Sequence, residues 1–414
     1  MDPGLSSFTP HPVLSNHRSS LNPSPQIVET SSRASLRPAL QFAITMPAPQ
    51  KSRVTGIRNA KQQAAKQRSA REQQPKIIEE KSFETRIPPE TQQLILNLYR
   101  NSFAERLASD IQPLLQEVKG HLFDRNFKDA FGREDYLEAY AARWSPSRAL
   151  GYLGVLWRMR ESLDLVQPSA DDTAEAVERS QNSYRIACLG GGAGAEIGTL
   201  GGLHRLLSDE HKENEGGLPK DLEVVAIDSA AWGNVVEQLT QQITIPPPVS
   251  KYASAAVKAA NHSLVDPTAF KTTFHQYDLL TVDPKILATA LEGVKLVTLM
   301  FTLNELYSTS RSLTQQFLLR MTDALAPGAM LLVIDSPGSY STVTLNGAEK
   351  NYPMQWLLDH TLLADISGGK AKEEEKLWEK LQDDDSRWFR LDDRLEYPIE
   401  LENMRMQLHL YRRI

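Results

Sequence analysis

The chain has 414 residues, 41% hydrophobic and 24% charged, enough for one large or two ordinary globular domains with a sizeable core. Its single cysteine, Cys188, cannot close an intramolecular disulfide and no Cys/His cluster has metal-ligand spacing, which excludes a disulfide scaffold and a structural zinc site. No stretch approaches the roughly 20 uncharged apolar residues of a membrane span, and no basic-then-apolar secretory signal opens the chain, so a soluble intracellular protein in a reducing compartment is expected.

The net charge of −6 is unevenly spread. Residues 1–72 carry ten Lys/Arg against Asp2, Glu29 and Glu72, a balance of +7 that leaves −13 for the remainder. Residues 1–50 hold eight of the 24 prolines, many serines and no apolar periodicity, a composition expected to stay disordered. Met46 opens a second possible start of translation. Between Lys51 and Arg71 there are seven basic residues and no acidic one, spaced by Ala and Gln. Such a segment has helix formers but no apolar face, so it folds on a partner if at all. Phosphate-backbone binding or nuclear import is the functional reading, a solvated tail the plain one. The tail is expected to end near residue 82.

Residues 83–166 read as a helical cap. Ile95, Leu98, Phe103, Leu107, Ile111, Leu114 and Val118 recur three to five apart, as on one buried stripe. A second set follows with Leu122, Phe123, Phe127 and Phe131, and a third runs through Tyr136, Tyr140 and Trp144, where Pro146 is expected to stop the helix. A polar linker, 167–182, then leads into alternating strands and helices over 183–414. Strands are expected at Tyr184–Leu189, Leu222–Asp228, Phe274–Asp278, Val294–Phe301 and Ala329–Asp335, in a doubly wound, parallel α/β sheet. Lys370–Arg394, with Glu373–Glu375 and Asp383–Asp385, reads as a charge-laced surface helix. The runs Arg394–Ile399 and Met404–Tyr411 read as a closing antiparallel hairpin.

The turn after the first strand, Gly190-Gly191-Gly192-Ala193-Gly194-Ala195-Glu196, stands where doubly wound sheets hold a ligand outside the carboxyl ends of their strands. Glycine turns alone are weak evidence. Asp228, closing the second strand, is placed to accept hydrogen bonds from a ribose diol. It lies 34 residues beyond Gly194, more than the usual ~20, which an inserted loop over Ser208–Asp221 would explain. Glu196 would repel a pyrophosphate, so the pattern suits a cationic, phosphate-free ligand, and S-adenosyl-L-methionine (SAM) carries both a sulfonium and an ammonium. Ser229, Asp278 and Leu279 follow the second and third strands as further candidate cofactor contacts.

This turn, Asp228, Asp278, Asn304-Glu305 and the reversed terminal hairpin together resemble the seven-stranded class I methyltransferases. Tyr140-Ala-Ala-Arg-Trp-Ser-Pro-Ser-Arg148, Cys188-Leu-Gly-Gly-Gly-Ala-Gly-Ala-Glu196, Phe301-Thr-Leu-Asn-Glu-Leu306 and Asp335-Ser-Pro-Gly-Ser-Tyr-Ser341 are similar to the fungal 25S ribosomal RNA uridine-N(3)-methyltransferases, a likeness running from about residue 85 to the end. The resemblance implies one uridine of large-subunit rRNA as substrate, free or in a pre-ribosome, and work in the nucleus or nucleolus, with the cytoplasm as a further site. It implies no membrane, no metal and no particular oligomeric state.

Uridine N(3) bears a proton that a base must remove, and Glu305 is the first candidate, with Asn304 beside it to orient the base edge. Asp335 is the second candidate. The plain reading of Glu305 is a carboxylate favouring a helix N-terminus. Methylation at a pyrimidine carbon-5 needs an attacking thiolate, and Cys188 sits mid-strand, so transfer to nitrogen or oxygen is favoured. Arg143, Trp144, Arg148 and Tyr340 are the candidate substrate contacts, with Trp157, Arg158 and Arg160 weaker ones. Two alternatives stay open: a methyltransferase of a protein or small molecule, and a SAM-binding ribosome-assembly factor without turnover. Deleting residues 1–72 is expected to weaken RNA binding and flatten its salt dependence while SAM affinity holds; an unchanged salt slope in an anisotropy titration removes the tail's RNA role.

Overall fold

A computed structural model describes residues 87–166, 183–214, 218–259, 261–338, 340–345, 348–363 and 376–414, all within one unit of the chain, Ile77–Ile414. The expected tail (1–82) and linker (167–182) lie outside the described residues.

Among the described residues five helices precede the first strand: α1 (Pro89–Ser102), α2 (Ala104–Ala108), α3 (Gln112–Phe123), α4 (Phe127–Ala130) and α5 (Glu134–Met159). The expected single stripe from Ile95 to Val118 is cut into three helices. Ile95, Leu98, Phe103, Ile111 and Val118 are buried, while Leu107 and Leu114, displaced by the breaks, are half-buried. The expectation that Pro146 ends a helix is corrected, because α5 runs on for thirteen residues past it. A proline inside a helix removes the N–H that the carbonyl four residues earlier would accept from. Here that carbonyl, Ala142 O, accepts instead from the Tyr397 hydroxyl at 2.8 Å.

The remaining elements, in chain order, are β1 (Ser183–Leu189), α6 (Ala195–Asn214), β2 (Asp221–Asp228), α7 (Gly233–Thr244), α8 (Ala255–Ala259), β3 (Phe270–Gln276), α9 (Pro284–Leu291) and β4 (Leu296–Met300). They continue with α10 (Leu303–Thr309), α11 (Arg311–Ala324), β5 (Met330–Asp335), β6 (Tyr340–Leu345), β7 (Ala348–Pro353), α12 (Met354–Leu363), β8 (Trp378–Phe389) and β9 (Met404–Arg413). Seven strands form one sheet in the order β3-β2-β1-β4-β5-β9-β8, and β6 pairs with β7 apart from it. Strands β1 to β5 are parallel, and β9 runs antiparallel to both β5 and β8. The order reverses between β1 and β4, which puts the switch point, and the ligand crevice it creates, at their carboxyl ends.

Both faces of the sheet are covered, as a parallel sheet requires. Ile186, Cys188, Leu332 and Ile334 pack under the N-terminal helices with α6 and α7. Their alternates Ala187, Leu189, Leu331 and Val333 pack under α9 to α12. Three further expectations are corrected. The third strand starts at Phe270 rather than Phe274 and pairs with β2 from Leu222↔Phe270 to Asp228↔Gln276. Within the charged segment Lys370–Arg394 the expected helix is corrected over residues 378–389, which are β8, the outer strand of the sheet. Buried Trp378 and Phe389 anchor its ends, and its acidic middle, with two register shifts, suits an edge that must not recruit another strand. The hairpin exists, but Arg394–Ile399 is irregular chain; Leu395, Tyr397 and Ile399 pack on the core while Gln93 and Glu396 exchange two hydrogen bonds.

Candidate functional site

The glycine turn leaves β1 at the switch point. Gly190 and Gly194 have φ of 76° and 81°, the left-handed region that favours glycine. A Cβ on Gly192 would come 2.2 Å from the Trp232 ring and 2.9 Å from Asp228 Cβ, so bare backbone is required there too. The N-terminal helices hold the turn from behind. The Tyr99 hydroxyl of α1 donates to Gly194 O at 2.8 Å, and the Ser145 hydroxyl of α5 donates to Ala193 O at 2.7 Å. The excess spacing to Asp228 is not chiefly a loop: α6 itself runs to Asn214 before β2 begins at Asp221.

Four carboxyl groups converge on this edge. Asp228 accepts from Gly192 N and Ala230 N, each at 3.2 Å; desolvation nevertheless pushes its pKa up to about 6. Glu196, in the first turn of α6, is 4% exposed. Its Oε1 has no hydrogen-bond partner among the described residues, and burial pushes its pKa up to about 7. Asp335, 2% exposed, accepts from Asn304 N at 3.0 Å and Ser336 N at 2.7 Å, and burial raises its pKa to about 6. Glu305 stands in the first turn of α10. Its Oε2 is buried with no partner among the described residues, and desolvation raises its pKa against the pull of Arg125 and Arg148. Asp335, by binding Asn304 N, fixes the start of the helix that carries Glu305.

Arg148 is the cation among them. Burial alone would lower its pKa, but Tyr140, Tyr152 and Glu196 hold it above its ordinary value. Its guanidinium donates to the Tyr140 hydroxyl at 2.7 Å and lies 5.0 Å from the centre of the Phe301 ring. Phe301, at the end of β4, has a φ of 56°, a strained conformation for an aromatic residue and one that concentrates at functional sites.

Sequence reading named Trp144 as a substrate contact but missed the other rings near this cation. Phe131 meets Tyr140 edge-on at 5.1 Å and Trp232 at 5.4 Å. Tyr140 lies 4.8 Å from Trp144, and Tyr152 6.4 Å from Phe301. Tyr140 shares with Trp144 a helical period that core packing equally explains, and Trp232 sits in no motif, so no sequence signal separated Tyr140 and Trp232 from the core.

The remaining candidates are placed as follows. Arg143 is buried and ion-paired to Glu402 at 2.5 Å, with Nη1 lacking a hydrogen-bond partner among the described residues. Asp278 is exposed and accepts from Leu280 N and the Thr281 hydroxyl within its own turn. The Leu279 side chain lies in the core, and Ser229 is exposed beside Asp228. Tyr340 opens β6, and its side chain lies outside what the structure describes. Cys188 is fully buried, and desolvation holds its thiol far above the ordinary range. Among the described residues no group of three or more His, Cys, Asp or Glu could hold a metal ion, and no helix is long and apolar enough to cross a membrane.

The residues fit SAM: bare glycine backbone, the Asp228 carboxylate beside it at the end of β2, and on Glu196 a buried carboxylate oxygen with no partner among the described residues, suited to a cation. The raised carboxyl groups also set a pH dependence. Each binds its proton more tightly when folded, so its stabilising share is complete below the unfolded pKa and is lost as pH rises through the folded value. For Glu196, raised from 4.5 to about 7, the loss is roughly 3 kcal/mol at 1.36 kcal/mol per pKa unit. Melting temperatures between pH 5 and 8 are therefore expected to fall less in Glu196→Gln than in the parent; parallel curves would contradict this.

A family model described as "Putative SAM-dependent methyltransferase" matches residues 99–412. The chain is 32% identical over 342 residues to the 25S rRNA (uridine(2843)-N(3))-methyltransferase of Saccharomyces cerevisiae, a match covering 78% of this chain and 86% of that protein. Solved structures with a likeness include the N-methyltransferase NodS of Bradyrhizobium japonicum with S-adenosyl-l-homocysteine, at 11% identity, 67% of this chain, 96% of that one and a TM-score of 0.31. An O-methyltransferase family protein of Burkholderia thailandensis has 13% identity, 73% and 70% coverage, and a TM-score of 0.31. Likenesses that slight carry no weight beside the sequence matches. The chain belongs to the family of SAM-dependent methyltransferases that includes the yeast enzyme.

Proposed function

We propose that this methyltransferase acts on N(3) of a uridine in large-subunit rRNA, free or within a pre-ribosome, and works in the nucleus or nucleolus. In this reading the tail (1–82) gathers RNA, the helical cap (83–166) frames the substrate and the sheet domain (183–414) holds the cofactor. Gly190, Gly191, Gly192 and Gly194 let the cofactor approach the backbone. Glu196 faces its positive charge, Asp228 and Ser229 its ribose, and Asp278 and Leu279 its base. SAM, when bound, supplies an electrophilic methyl group. The chain's own residues position the acceptor and manage its proton.

The observation that carries the reading is Glu305: a carboxylate just beyond the carboxyl end of β4, with one oxygen buried and without a partner among the described residues, and a proton affinity raised by burial. Such a group is suited to take the imide proton of uridine N(3) as the nitrogen attacks. Asn304 orients the base edge, its backbone held by Asp335. Arg148 and Trp144, with Arg143 and Tyr340 further out, meet the rest of the nucleotide. The yeast relative's name, with its uridine N(3) specificity, supports the same assignment.

The test is transfer of label from methyl-labelled SAM to deproteinised large-subunit rRNA, with digestion to nucleosides. The parent is expected to yield 3-methyluridine, and Glu305→Gln to lose about 10²- to 10⁴-fold in kcat with SAM affinity kept. Undiminished transfer by the variant, or label appearing in protein instead of rRNA, would contradict the proposal.

A further inference from the structure

The turn between α3 and α4 stands apart from the core it is built on. Phe123 ends α3 and is 88% exposed. Two residues later Arg125 has a φ of 54°, a conformation that glycine or asparagine adopts at less cost. The turn is nonetheless firmly made. Arg125 N donates to Leu122 O at 3.1 Å, Asn126 N to His121 O at 2.8 Å, and the Asn126 side chain caps α4 by accepting from Asp129 N. Asp129 is tied to Asn126 Nδ2 at 2.7 Å, while Asp124 is exposed. The Arg125 side chain is exposed and has no hydrogen bond or ion pair among the described residues; the carboxylate its charge acts on is Glu305.

From this turn a file of rings leads inward. Phe127 stacks on Phe131 at 6.5 Å, Phe131 meets Tyr140 and Trp232, and Tyr140 accepts the hydrogen bond from Arg148. A rigid turn that offers solvent one ring and one unpaired guanidinium, at the outer end of an aromatic path to the reacting edge, matches what a single-stranded polyanion with stackable bases needs. We propose that the turn is an RNA clamp: Phe123 stacks on a base neighbouring the target uridine, and Arg125 pairs with the adjacent phosphate. The clamp rests on the rRNA reading above and extends it to the nucleotides flanking the target.

The test uses the full chain and a fluorescein-labelled single-stranded RNA of about twelve uridines, within the span that single-strand binding sites cover. Phe123→Ala is expected to weaken binding about tenfold, an aromatic-stacking contribution, and Phe123→Trp to restore it. Arg125→Gly, which relieves the backbone strain, is expected to weaken binding and lower the salt slope by about 0.7, one phosphate contact on a single strand. In both weakened variants the KM for rRNA rises while SAM affinity and melting temperature hold. If Phe123→Ala and Arg125→Gly bind and methylate like the parent, the turn contacts something else, such as a protein, and the clamp is overturned while the rRNA reading stands. A parent that neither binds nor methylates RNA overturns both together.

Discussion

Arg148 lies within electrostatic reach of Glu196, Glu305 and Asp335, and the site is arranged around that shared charge. Removing carboxylates from water is costly, and leaving them short of partners is costlier still. Desolvation exceeds the relief that Arg148 gives to each of the three, whose pKa values stay raised. Glu196 and Glu305 each keep an oxygen with no hydrogen bond among the described residues. A fold selected for stability alone would replace such groups with apolar ones. Their presence at the sheet's switch point, beside the strained Phe301 backbone, is what the proposed site rests on.

The geometry of that place depends on the helices that come before the sheet. Tyr99 and Ser145 hold the glycine turn by its carbonyls, while Thr199 of α6 donates to Ala149 O of α5 at 3.1 Å. A Cβ on Gly198 would come 2.3 Å from the Tyr99 hydroxyl, and one on Gly202 2.5 Å from Ile95. The glycines of α6 therefore let α1 approach the helix that follows the turn. The N-terminal helices and the glycine turn are built as one packed layer, so Tyr140, Trp144 and Arg148 on α5 are set by the same contacts that hold the turn.

Much of this was legible in the sequence. The strands β1, β2, β4 and β5 are short apolar runs bounded by turn residues, and Asp228 and Asp335 close two of them as read. Glu305 follows β4 in the first turn of α10, the helix start its plain reading gave it. What failed did so where a distant residue supplied a missing partner or a surface role overrode local preference. Pro146 looked like a helix end because the Tyr397 hydroxyl that satisfies Ala142 O is 255 residues away in the chain. The acidic run at Asp383–Asp385 looked like a solvated helix because charge that guards an outer strand has the same composition. Phe123, Phe131 and Trp232 share their residue type with the core, and whether a ring is buried or presented is a tertiary fact.

The most direct measurement is calorimetric titration of SAM into the purified full chain and into Asp228→Ala. The account predicts that the parent binds and that the variant, folded by its melting curve, binds at least tenfold more weakly. Equal affinity in the two proteins, or no heat with SAM beside clear binding of NADH, would contradict it.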